Sequence, residues 1–129
     1  MANARPNISA QSATIKHVAA TVGTNSPDLA GGSGRGLIVF ADVSAITGTA
    51  PTLIVTIQGK DPVSGNYYTI LASAALTATG TTVLRVFPGL TAVANATVND
   101  ILPPDFRIIT AIGGATPAVS ATVSFSVVE

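Results

Sequence analysis

Residues 119–127 read VSATVSFSV. Val119, Ala121, Val123, Phe125 and Val127 alternate with Ser120, Thr122, Ser124 and Ser126 without a break. Side chains of an extended chain point to opposite faces at each step, so this is a strand with one apolar face and one hydroxyl face. A helix would scatter the same residues around its circumference. One side is buried and the other is wet, and the wet side carries no charge.

The same alternation recurs upstream. In TLIVTIQ, residues 52–58, Leu53, Val55 and Ile57 share one face while Thr56 and Gln58 share the other. GLIVFADV, residues 36–43, is apolar on both faces until Asp42, as expected for a strand inside a packed sheet. TTVLRVF, residues 81–87, is stopped by Pro88-Gly89, and FRIITA, residues 106–111, by Gly113-Gly114. Pro51 closes a Gly-Thr-Ala turn, residues 67–71 form the hairpin partner of 52–58, and TIKHVAATV, residues 14–22, is a weaker strand. Only LASAALTAT, residues 71–79, has helical composition; it has no cap and ends at Gly80, which allows at most one or two turns.

Seven to eight short strands with almost no helix predict an all-β fold, an antiparallel β-sandwich of jelly-roll-like form. Residues 13–129 make a single domain. Residues 1–12 are polar, contain Pro6 and show no periodicity, so they read as an extended N-terminal arm. No repeat of roughly 20–50 residues is visible, which argues against a propeller or solenoid.

Composition narrows the functional classes. Six basic and six acidic residues give a net charge of zero, and 9% of residues are charged, against about 25% in ordinary soluble domains. No basic footprint for nucleic acid or anionic lipid is present, so neither is an expected partner. So little charge opposes self-association only weakly, which points to a surface covered in use by copies of the chain or by a larger assembly. Mean hydropathy is +0.55, yet the longest strongly apolar run is residues 37–41, far short of the roughly 18 residues of a membrane span. The start MANARPNISAQS has no apolar stretch after Arg5, so no secretory leader is expected. With no cysteine, disulfides and thiolate chemistry are excluded.

Catalytic equipment is sparse. His17 is the single histidine, in phase with Ile15 and Ala19, and no Gly-x-Ser-x-Gly elbow accompanies it. Asp28, Asp42, Asp61, Asp100, Asp105 and Glu129 are scattered and lack the spacing of a calcium loop. GGSGRG, residues 31–36, has the glycines of a phosphate cradle but leads into a strand, so it reads as a loop. Asn7 and Asn95 each begin a glycosylation-type triplet, which carries no meaning without a leader. Residues 60–66, KDPVSGN, join two alternating strands with the turn formers Pro62, Gly65 and Asn66. The adjacent Tyr67 and Tyr68 must face opposite sides of a sheet, one toward the core and one outward. The expected enzyme class is none, with no catalytic residue, no metal and no cofactor.

Taken as a block, residues 35–128 resemble small β-sandwich proteins encoded among the structural genes of tailed bacteriophages. The segments that carry the resemblance are QGKDPVSGNYYTILASA, TATGTTVLRVFPGL and the Gly-Gly turn before the final alternating strand. The resemblance implies a virion protein without enzymatic activity, a head decoration protein that stabilises the capsid. It would sit on the outer surface of the head after synthesis in the host cytoplasm. Its partners would be the major capsid protein and its own copies, a homo-oligomer with a trimer favoured. The arm lies outside the resemblance, and Arg5, Pro6, Asn7 and Ile8 are its candidate capsid contacts. The competing expectations are a carbohydrate-binding or host-adsorption module and a tail subunit. Two Tyr, four Phe and no Trp leave few rings for stacking on sugars.

Overall fold

The computed structural model describes residues 13–31 and 34–128. Within them the chain is all-β, with strands β1 (Ala13–Ala20), β2 (Leu29–Ala30), β3 (Gly36–Lys60), β4 (Tyr67–Ala72), β5 (Gly80–Val86), β6 (Thr97–Val98) and β7 (Asp105–Val128). β3 and β7 dominate. They pair antiparallel along their whole lengths, from Gly36 opposite Val128 to Gly59 opposite Phe106.

The turn residues that the sequence assigns to strand ends instead fall inside these two strands. Gly48 and Pro51 of β3 lie level with Gly113, Gly114 and Pro117 of β7. The ladder slips there, through Thr47 opposite Ala118, Thr49 opposite Ala115 and Thr52 opposite Gly113. Gly48, Ala50, Gly114 and Thr116 all have positive φ. Extra residues on both strands at one level make paired bulges, and paired bulges bend a two-stranded ribbon without breaking it. Segments 36–43 and 52–58 are therefore two arms of one strand.

Beyond the bend, each arm of the ribbon recruits its own flanking strands. β1 adds to the C-terminal arm of β7 and β5 to the N-terminal arm of β3, with β6 outside β5. β2 adds to the other arm of β7 and β4 to the other arm of β3. One seven-stranded sheet thus folds back on itself in a sandwich-like architecture. The departure from an all-antiparallel sheet is β6, which runs parallel to β5 over two residues.

The inner rows make the core: Leu37, Val39 and Val43, then Leu53, Val55 and Ile57 on β3, and Phe106, Ile108, Val119, Val123 and Val127 on β7, all buried. Phe106 and Phe125 come from opposite arms of β7, and their rings meet edge to face at 5.9 Å. Phe106→Ala is expected to cost about 3–5 kcal/mol.

Polar atoms tie the edges to this core. Ser26 Oγ accepts the Ile108 N–H at 2.9 Å and Ser73 Oγ accepts the Val55 N–H at 3.0 Å, each where a flanking segment leaves the ladder. Each hydroxyl then donates to a neighbouring carbonyl, of Pro27 or Ala74. Residues 71–79 form no helix, because Leu76 and Leu53 exchange both backbone hydrogen bonds and hold the segment along β3. Ladder pairing outweighs the Ala and Leu helix preference there.

His17 is buried on the inner side of β1, with Nε2 2.9 Å from Thr110 Oγ1 on the other arm of β7. The Thr110 hydroxyl donates to the Thr24 carbonyl and accepts the Thr24 N–H, which leaves Nε2–H to donate to Oγ1. Burial holds the imidazole below its usual value of 6.5.

Two outcomes follow from the bend and the histidine. Gly114 has φ +105, and a Cβ there would lie 2.6 Å from the Ala50 carbonyl oxygen. Gly114→Ala should lower the urea midpoint by the equivalent of about 1–3 kcal/mol with an unchanged denaturant slope. For His17 the unfolded chain binds a proton near pH 6.5 and the folded chain only at lower pH. Stability is then fully present above that value and is lost as pH falls through the depressed folded one. The thermal midpoint should drop as pH falls below about 6.5 in the wild type, and much less in His17→Gln.

Candidate interaction surface at the β3–β4 end

The hairpin between β3 and β4 is stiff. The Asp61 N–H donates to the Asn66 carbonyl at 2.8 Å, and the Gly65 N–H to the Asp61 carbonyl at 2.9 Å. Asp61 Oδ1 accepts the N–H groups of Val63 (2.9 Å) and Ser64 (3.3 Å), and the Asn66 N–H donates to Ser64 Oγ at 3.2 Å. Gly65 supplies the positive φ of +78 that closes the turn. The Val63 and Ser64 N–H groups hold the Asp61 carboxyl below its ordinary value. All of this presents Val63, 94% exposed, at the tip.

Behind the tip, the outer face of the sheet gathers a cluster from three parts of the chain. Lys60 lies opposite Tyr67, and Gln58 opposite Arg107. Asp28, from the loop before β2, takes Lys60 Nζ at 2.6 Å on one oxygen and the Tyr67 hydroxyl at 2.5 Å on the other. The Arg107 guanidinium lies 3.5 Å from the Tyr67 ring centroid, and its Nε donates to Gln58 Oε1 at 2.9 Å. Lys60, and after it the Tyr67 hydroxyl, pull the Asp28 carboxyl down. Asp28 in turn raises both the Lys60 ammonium and the Tyr67 phenol. Chemically this is a brace: the loop carboxylate is held by two donors and the tyrosine ring is capped by a guanidinium.

Tyr68 lies on the other side of the sheet, opposite Gly59. Its ring crosses Gly59 so closely that a Cβ there would fall 2.5 Å from it. The two tyrosines face opposite sides, as alternation requires, but neither is a core residue. Tyr67 is half-buried beneath Arg107 on the outer face, and Tyr68 is 49% exposed at the end of the sandwich.

The other sequence candidates resolve one by one. Arg5, Pro6, Asn7 and Ile8 lie outside the described residues, as does Glu129. In residues 31–36 the N–H groups of Gly31, Gly34 and Arg35 donate to the carbonyls of Pro104, Gly31 and Val128. Those three amides are occupied by protein, and residues 32 and 33 lie outside the described residues. Asp42 reaches the Thr81 hydroxyl and Asp100 caps the Ile101 N–H, so each serves its own turn or strand. Asn95, at positive φ, donates to the Ala72 carbonyl. Among the described residues no pocket opens and no three carboxylate or histidine side chains converge.

Sequence reading missed the Asp28, Gln58, Lys60, Tyr67 and Arg107 cluster. The face of Gln58 was legible from alternation, but Asp28 lies in a loop and the register that joins the members was not legible. No family model, no curated protein and no solved structure matches this chain.

The brace has a titration signature. Asp28 stabilises the fold above its ordinary value of 3.8, and that contribution is lost as pH falls through its lower folded value. In Lys60→Met the Asp28 carboxyl should titrate closer to 3.8, and in Tyr67→Phe it should move the same way by less. Carboxyl carbon shifts followed by NMR against pH would check both.

Proposed function

We propose that this chain is a bacteriophage virion structural protein that decorates the outer surface of the capsid. It stabilises the shell through non-covalent contacts with major capsid subunits and with its own copies. The observation that carries the reading is a sandwich-like fold in a chain of which only 9% of residues are charged. Ser120, Thr122, Ser124 and Ser126 form one outer row of β7, and Val18, Val22, Val63, Val93 and Ile101 stand exposed elsewhere in strands and loops. The likeness of residues 35–128 to small phage β-sandwiches supports the same assignment.

Hydroxyl rows and single aliphatic side chains are modest contacts one at a time. On a symmetric shell they repeat, and tethering at several points multiplies weak affinities without any one strong site. The arm supplies part of the grip in this reading, through Arg5, Pro6, Asn7 and Ile8.

Purified protein added to heads that lack it should bind at a fixed copy number and raise the temperature at which they release DNA. Removal of residues 2–12 should weaken binding; undiminished binding would take the arm out of the account. Gold labelling of intact particles should mark the head. Label on the tail, or retention on cell-wall glycan in place of heads, would move the protein to a tail or host-adsorption role.

A further inference from the structure

Among the described residues the sheet ends in four flanks, β1, β2, β4 and β6, and three of them are guarded. β1 carries Lys16, register shifts toward both ends and Ala19 at φ +47. β2 is two residues long and follows Pro27 and Asp28. β6 is also two residues long. Charge, bulges and shortness are the ordinary means by which sheets refuse new strands. β4, reading YYTILA, has neither charge nor proline, and no strand lies beyond it among the described residues.

Hydrogen-bond alternation shows which of its groups are free. The Asp61 to Asn66 bond closes the hairpin, and Gly59 opposite Tyr68 is the next hydrogen-bonding pair two residues on. The Tyr68 N–H and C=O therefore face β3, while those of Tyr67 and Thr69 face away from it. The irregularity in β4 comes later, where Leu71 and not Ile70 pairs with Ile57, so residues 67–69 stay straight. The Tyr68 ring is folded back across Gly59 and clears the edge.

We propose that two copies of this chain pair antiparallel through β4, about a two-fold axis at Tyr68. Tyr67 and the partner's Thr69 exchange both backbone hydrogen bonds, and the symmetric pair does the same, four bonds in all. Tyr68 faces the partner's Tyr68 at a close, non-hydrogen-bonded position. The outer row across the axis runs Lys60, Tyr67, the partner's Thr69 and the partner's Gln58. No like charges meet in it, and Lys60 is already paired with Asp28. An isologous contact needs a self-complementary surface, which a short uncharged antiparallel edge is. This gives a form to the self-contact in the function proposed above, but it rests on edge geometry alone.

The chain has no cysteine, so a single introduced thiol reports on the axis. Under mild oxidation Tyr68→Cys should form a disulfide-linked dimer, since residues paired at a non-hydrogen-bonded site have Cα atoms within bonding range. Val63→Cys, more exposed but off the axis, should cross-link slower by roughly tenfold or more. In sedimentation equilibrium the wild type should show a monomer–dimer equilibrium. Thr69→Pro, which removes an edge N–H, and Thr69→Lys, which charges the edge, should both shift it to monomer with circular dichroism unchanged. Equal cross-linking of the two cysteine variants, a wild type that stays monomeric, or a trimer without Tyr68→Cys cross-linking would each overturn the proposal. All readouts use the protein alone, so that failure leaves capsid decoration to be judged by head binding.

Discussion

Everything in this fold depends on β3 and β7 staying paired through their shared bend. Each strand alone contains residues that ordinarily end a strand. Because those residues fall at the same level, the slip on one is matched by a slip on the other, and the backbone bonds resume on the far side. The bend turns two long strands into the cores of both layers. Inner rows 37–43 and 53–57 of β3 then face each other across the sandwich, closed by Phe106 against Phe125. A single covalent ribbon in both layers also fixes their relative placement, which two independent sheets would have to achieve by side-chain packing alone.

Around that ribbon, buried hydroxyls do work that regular ladders cannot. Where residues 24–30 and 73–76 run beside the ribbon irregularly, Ser26 and Ser73 replace missing carbonyl partners for Ile108 and Val55. Thr110 does the equivalent for Thr24 and His17 together. Leaving any of these donors unmet in the interior would cost about 1–3 kcal/mol. The flanks are thus tied to the ribbon by small, uncharged groups, in keeping with a chain that uses so few charges.

Most strands were legible because burial on one face imposes period-two alternation, and residues 119–127 and 52–58 display it openly. What failed was punctuation. Gly113-Gly114 and Pro51 read as stops because local sequence records a residue's conformational preference but not what lies opposite it. Residues 71–79 misled similarly, their composition favouring a helix while Leu53 held them extended. Alternation puts Tyr67 and Tyr68 on opposite faces but does not show that Gly59 leaves the Tyr68 ring lying at the sandwich's end, so that neither ring joins the core. The Asp28 brace was illegible for a plainer reason: its members come from positions 28, 58, 60, 67 and 107, and only cross-strand register brings them together.

The placement of charge bears on how such a protein can be used. Asp28, Lys60 and Arg107 are gathered at one end and engaged with one another or with Tyr67 and Gln58. The outer row of β7 from Ser120 to Ser126 is Ser and Thr, with Lys16 and Asp42 opposite Thr122 on the two flanking strands. Burying a charged side chain in an interface demands a matched partner, and without one the penalty is several kcal/mol. A hydroxyl needs only a single acceptor or a trapped water, at a far smaller penalty. The hydroxyl row itself can be covered by many partners or repeated copies without a dedicated countercharge at each of its contacts. The same surface holds its partner weakly at any one point, so its strength has to come from repetition. That is the physical reason a charge-poor sandwich suits a lattice better than a solitary binding site.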